Sequence, residues 1–173
     1  TAEGVSQRKR LFGELAPIGG FDVTEMTIAA NATNLVPDTE ELHCPIVRIS
    51  EIPEVLCPTA EGGILGTRGV IEAVTCLRHP YEAGLGGGEF IVVSCENDYS
   101  RYILTSKGLI PNSSDSAALI YRPHHLCGVE TGISILCAQL LGLPTAATDY
   151  RPRYDIVART TRALVLSQLV IDG

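Results

Sequence analysis

Glu89-Phe90-Ile91-Val92-Val93-Ser94-Cys95 is the strongest strand signal in the chain. Its run of Ile and Val suits a pleated ladder. What precedes it decides the fold class. Gly84-Leu85-Gly86-Gly87-Gly88 leads into this strand. A dinucleotide cradle needs its glycines after a strand, in the turn that opens a helix, where backbone N–H groups meet the pyrophosphate. The glycine run is therefore read as a turn or close-packing loop, or else as a phosphate or substrate loop. No GxGxxG turn follows a predicted strand anywhere in the sequence.

Outward from this strand, Gly69 to Arg78 alternates and is rich in branched residues, which predicts another strand. Arg101 to Ser106 is read as a strand, Asn112 to Asp115 as a turn and Ala117 to Tyr121 as a short strand. Thr131 to Leu143 predicts a mostly buried helix stopped by Gly142 and Pro144. Toward the N-terminus, Glu3 to Leu15 reads as a helix broken by Gly19-Gly20. A second helix runs through Glu25 to Ala32, capped by Asp22 or Thr24 and ended by Asn34 to Pro37. Three prolines, Pro45, Pro53 and Pro58, exclude a central strand over Thr39 to Pro58, although Ile46 to Ile49 can form a short one. Tyr154 to Arg159 predicts a further strand. Several strands beside at least two helices give an α+β class, a mixed sheet with packed helices.

The chain has 173 residues, of which 45% are apolar and 19% charged. Charge is scarce for a surface of this size, so either a partner covers part of it or Ser, Thr and Asn solvate it. The formal net charge of −7 leaves no nucleic-acid footprint. Arg8-Lys9-Arg10 reads as a solvated helix face. No apolar run is long enough for a membrane helix, and no signal peptide opens the chain. Six cysteines without CxxC spacing read as free thiols, which implies a reducing, cytoplasmic compartment. His43 and His79 lack ligand spacing, so no metal site is expected. The opening at Thr1 and the single Met26 suggest a piece of a longer enzyme.

Three stretches carry a family resemblance: Asp22-Val23-Thr24-Glu25-Met26-Thr27-Ile28-Ala29-Ala30-Asn31-Ala32-Thr33, Ile103-Leu104-Thr105-Ser106-Lys107-Gly108, and Tyr121-Arg122-Pro123-His124-His125-Leu126-Cys127-Gly128-Val129-Glu130-Thr131. Together they resemble the homoserine-dehydrogenase-like oxidoreductases that end in a SAF domain. That group includes enzymes similar in activity to deoxyxylulose-phosphate reductoisomerase. The resemblance implies NAD or NADP, bound by an N-terminal Rossmann domain that lies outside this chain, together with the family's catalytic lysine region. It implies a catalytic and oligomerisation-type domain over residues 1–150 and the start of a SAF-like region over 151–173. It also implies a homo-oligomer and a small hydroxy or keto substrate, often phosphorylated or acidic. The chain alone is then expected to be inactive.

On this resemblance Lys107, His124 and His125 recognise or polarise the substrate, Arg122 helps bind it, and Asn31 and Glu130 hold the pocket. Read from the residues alone, each has a plainer alternative. The histidines can act as acid or base or orient a carbonyl, or simply cap the next helix. Lys107 can bind a carboxylate or phosphate, or be a solvated strand end. Glu130 can anchor Arg122 or a histidine, or favour the helix by its charge. Asn31, an amide inside an apolar helix, ranks above Glu25 because a buried amide needs a partner. The rival to an oxidoreductase is a non-catalytic oligomerisation or regulatory domain, and a cofactor-free binding protein is the third reading.

Overall fold

The computed structural model describes residues 2–12, 23–145, 149–160 and 162–163. The Gly19-Gly20 break, the Asp22 cap, the 13–15 end of the first helix and the 164–173 tail lie outside these residues. The elements run α1 (Ala2–Phe12), α2 (Val23–Thr33), β1 (Val36–Pro37), β2 (Ile46–Val47), α3 (Ile52–Val55), β3 (Val70–Ile71), β4 (Thr75–Cys76), β5 (Glu89–Ser94), α4 (Asp98–Ser106), β6 (Ile110–Pro111), β7 (Ala117–Arg122) and α5 (Cys127–Leu136). A π-helical turn, Cys137–Leu141, extends α5.

Among the described residues the strands form three small open sheets. β1 pairs with β3 and β2 with β4, both parallel, and the third sheet has the order β5-β7-β6. Its ladders are antiparallel, with Glu89 opposite Arg122 and Ser94 opposite Ala117. No extended parallel sheet of the Rossmann kind is present among these residues, and the α+β reading holds. The core gathers Val47, Ile52, Val55, Leu56, Leu65 and Leu119, with Phe90 and Val92 of β5 packed against it. Phe90, Val92 and Leu119 share one face because strand residues two apart, and their cross-strand partners, point the same way.

The predicted strand over Gly69 to Arg78 is divided between two sheets. It changes partner at Glu72, whose side chain is only 3% exposed. Glu72 accepts hydrogen bonds from the backbone N–H groups of His43 (3.0 Å), Cys44 (3.2 Å) and Ala73 (2.9 Å). His43 Nδ1 lies 2.8 Å from the same carboxylate, which accepts only, so this nitrogen carries the ring proton. His43 Nε2 faces Asp38 at 3.5 Å, and Asp38 accepts from Gly66 N–H at 2.9 Å. The Glu72 carboxylate thus ties the 43–44 loop to the 72–73 segment. The same anion, after burial itself, pushes the Cys44 thiol up to about 11. Burial also raises Cys57 and Cys76, so these free cysteines behave as small hydrophobes rather than nucleophiles.

Other expectations change in position or type. Arg101 to Ser106 is helix, not strand: the Asn97 side chain accepts Ser100 N–H at 2.8 Å and caps α4. Tyr154 to Arg159 forms no ladder. Arg8 is no solvated cation. It grips Glu51 through two bonds of 2.6 and 2.7 Å and donates to Ile46 O at 3.2 Å, which docks α1 beside β2. The Arg8 guanidinium holds the Glu51 carboxyl below its usual range. Asn34, at φ 65°, ends α2 in the left-handed region that asparagine tolerates.

The helix expected to be buried begins earlier, at Cys127, and has no buried residue. Gly142 does stop it, at φ 63°. Its apolar residues face solvent instead of the core.

Candidate functional site

α2 and the loop before α5 belong to the two strongest motifs, and the fold joins them. β7 carries the chain to Arg122, and the loop 123–126 then turns into α5. That loop lies against the glycine run. His125 N–H donates to Gly87 O at 2.9 Å. A Cβ on Gly88 would meet Arg122 O at 2.5 Å and Pro123 O at 2.7 Å, so only glycine permits this approach. Gly87 and Gly88 thus pack against the loop that carries His125, whereas a Cβ on Gly86 would meet nothing.

Glu130 fixes the other side of the loop. Its carboxylate accepts Leu126 N–H at 3.0 Å and pairs with the Arg122 guanidinium. It therefore both anchors Arg122 and satisfies a backbone donor at the start of α5. Between these two supports His125 is half-buried, with its Nδ1 3.5 Å from Cys127 Sγ. Glu25, in the first turn of α2, completes the group. The donor atoms of Glu25, His125 and Cys127 all lie within 4.8 Å of one another. An acid, an imidazole and a thiol from chain segments a hundred residues apart converge there.

Asn31 is on the same helix, two turns further on, and is 2% exposed. Its Oδ1 accepts from Arg153 N–H (2.8 Å) and Tyr154 N–H (3.0 Å). Its Nδ2 donates to Tyr154 O (3.0 Å) and Tyr150 Oη (3.4 Å). All four positions of the amide are filled, so Asn31 holds a wall rather than a ligand. That wall bounds a cleft of about 380 Å³ lined by Thr24, Thr27 and Ile28 of α2 and by Tyr150, Arg153 and Tyr154. Asn31→Ala is expected to cost roughly 2 kcal/mol, with about thirty-fold faster amide exchange at Arg153 and Tyr154. Hydrogen-exchange mass spectrometry over 149–160 checks this. Unchanged exchange there would mean that the wall stands without the amide.

The remaining candidates fall as follows. His124 is exposed, one residue before the Glu25–His125–Cys127 group. Lys107 is exposed at the C-terminal cap of α4, its N–H donating to Ile103 O at 3.1 Å. It does not follow a strand, as expected, but a helix. β6 begins opposite Leu119 and runs away from Arg122, so the chain after Lys107 enters the sheet from the Arg122 side. Glu25, ranked below Asn31 from the sequence, is the carboxylate that reaches the group. The His-x-Cys spacing at 125 and 127 was the signal available in the sequence.

No curated protein matches the chain. Residues 19–131, which span α2 through the first turn of α5 and so contain every member of this group, match the sequence model described as oxidoreductase DRL, catalytic domain. The match covers well over half of the sequence, and the chain belongs to the DRL oxidoreductase catalytic-domain family.

Proposed function

We propose that this chain forms the substrate side of an NAD(P)-dependent oxidoreductase acting on a small hydroxy or keto compound of phosphorylated or acidic class. The observation that carries the reading is the convergence of Glu25, His125 and Cys127 inside the family's catalytic region. Among the described residues the glycine run leads into β5, with Gly87 and Gly88 against the loop 122–125, and it is not a strand–glycine–helix cradle for a dinucleotide. On this reading the nicotinamide cofactor, which supplies or takes the hydride when bound, sits on a nucleotide-binding domain outside these residues. The chain's own part is to hold the substrate oxygen and manage its proton. His125 meets that oxygen, Glu25 shares the proton traffic, and Arg122 and Lys107 supply positive charge for an anionic substrate. Glu130 and Asn31 hold the walls. The free cysteines suit a reducing, cytoplasmic setting. Among the described residues no helix is long and apolar enough to cross a membrane. The test is nicotinamide oxidation by the protein carrying this chain and its nucleotide-binding domain, with and without His125→Ala.

The oligomer belongs to the same reading. Val129, Ile133, Leu136 and Leu140 recur at spacings of three and four along α5 and its extension, with Leu126 and Leu143 just outside its two ends. All are 53–74% exposed. A 3-4 stripe on one helix is the pattern a partner helix takes, and a second copy of α5 supplies it. Sedimentation velocity should show an oligomer that Ile133→Glu with Leu140→Glu dissociates. A monomeric parent protein would contradict this.

A further inference from the structure

We infer that Glu25, His125 and Cys127 form a binding site for one divalent transition cation of the zinc class, with an open fourth position. The inference deepens the proposed function and refines one role in it: His125 and Glu25 would act as ligands, and the cation they hold would meet and polarise the substrate oxygen in place of the imidazole. Only that role rests on the proposed reading; binding itself rests on the three donors.

The donor set is the first argument. Carboxylate oxygen, imidazole nitrogen and thiol sulfur together suit Zn²⁺ and Co²⁺, and exclude Mg²⁺ or Ca²⁺, which take oxygen ligands. Geometry is the second. A zinc ion about 2.3 Å from sulfur and about 2.0 Å from nitrogen, at a tetrahedral angle, separates those two atoms by about 3.5 Å. His125 Nδ1 and Cys127 Sγ are 3.5 Å apart. The Glu25 carboxylate comes within 4.8 Å of both, and a small turn of an exposed side chain brings it to the metal.

Support of the ligands is the third. Residues that hold ligands in place are as much a part of a metal site as the ligands. The backbone of His125 is fixed by Gly87 O, and that of Leu126 by Glu130, which is itself anchored by Arg122. The loop bearing two of the three donors is thus braced on both sides. Three protein ligands leave one position open, the arrangement of catalytic zinc sites rather than closed structural ones. A substrate hydroxyl or carbonyl oxygen would take that position.

Cobalt titration of the protein, with Co²⁺ as the only added ligand, tests this. One equivalent should produce a near-ultraviolet thiolate-to-cobalt band and the visible bands of a four-coordinate site, both lost on adding Zn²⁺. Cys127→Ser should abolish the thiolate band. His125→Ala and Glu25→Gln should each weaken binding by about tenfold or more, whereas Cys44→Ser should change nothing. Glu25 and Cys127 are exposed and His125 is half-buried, so the variants should keep the parent circular dichroism. A thiolate band that survives Cys127→Ser, or no band at one equivalent, would overturn the site. The expected pattern in a protein that oxidises no nicotinamide would uphold the site and count against the proposed function alone.

Discussion

Replacing Glu72 with Ala should cost this domain about 3–5 kcal/mol, a large part of the roughly 5–15 kcal/mol that stabilises a domain of ordinary size. The reason is the asymmetry between making and losing buried hydrogen bonds. The carboxylate is 3% exposed and serves three backbone N–H groups and the His43 ring. Without it those donors, on buried Ala73 and half-buried His43 and Cys44, lose the acceptor they share, at about 1–3 kcal/mol for each group left unpaired. Glu72→Gln keeps one acceptor oxygen but turns an NH2 group toward donors, so it should recover only part of the loss. In urea unfolding the midpoint should fall with the slope unchanged. A loss under about 1 kcal/mol would show that water replaces the carboxylate and that the loops do not depend on it.

Glu72 also shows what the sequence could and could not reveal. Alternation from Gly69 to Arg78 correctly signalled extended backbone. It carried no sign that the segment would leave β1 and join β2 midway, because strand pairing is set by partners distant in the chain. Glu89 to Ser94 was legible by its Ile-Val-Val run and Ala117 to Arg122 as a short apolar run, and the two pair in one ladder. α4 was misread since Tyr, Ile and Thr favour strands as single residues, while one Asn97 cap decides for helix. α5 was recognised as a helix but placed inside the core. Hydrophobicity reports that a surface will be covered, not whether the cover comes from the same chain.

The site was half legible. Both motifs that build it were singled out, together with His125, Arg122 and Glu130, because a polar cluster inside a conspicuous motif invites a role. The contact between Arg122 and Glu130 was among the alternatives considered. The convergence of Glu25 with His125 was not legible, since nothing in a linear sequence says that a helix first turn faces a loop a hundred residues later. Asn31 drew attention for a sound reason, its burial, and its partners are backbone groups of residues 153 and 154.

The central claim is that the group around His125 belongs to an oxidoreductase site, and turnover tests it most directly. His125 stands where two independently braced elements meet, so its removal should strip the substrate oxygen of its proton donor or of the cation that polarises it. Either loss falls on the chemical step. With a small phosphorylated hydroxyketone and NADPH, His125→Ala should lower kcat by about 100-fold or more, near 2.7 kcal/mol, with the nicotinamide KM unchanged. Circular dichroism should match the parent. An activity within about threefold of the parent would contradict the account, because a residue that meets the reacting oxygen cannot be dispensable.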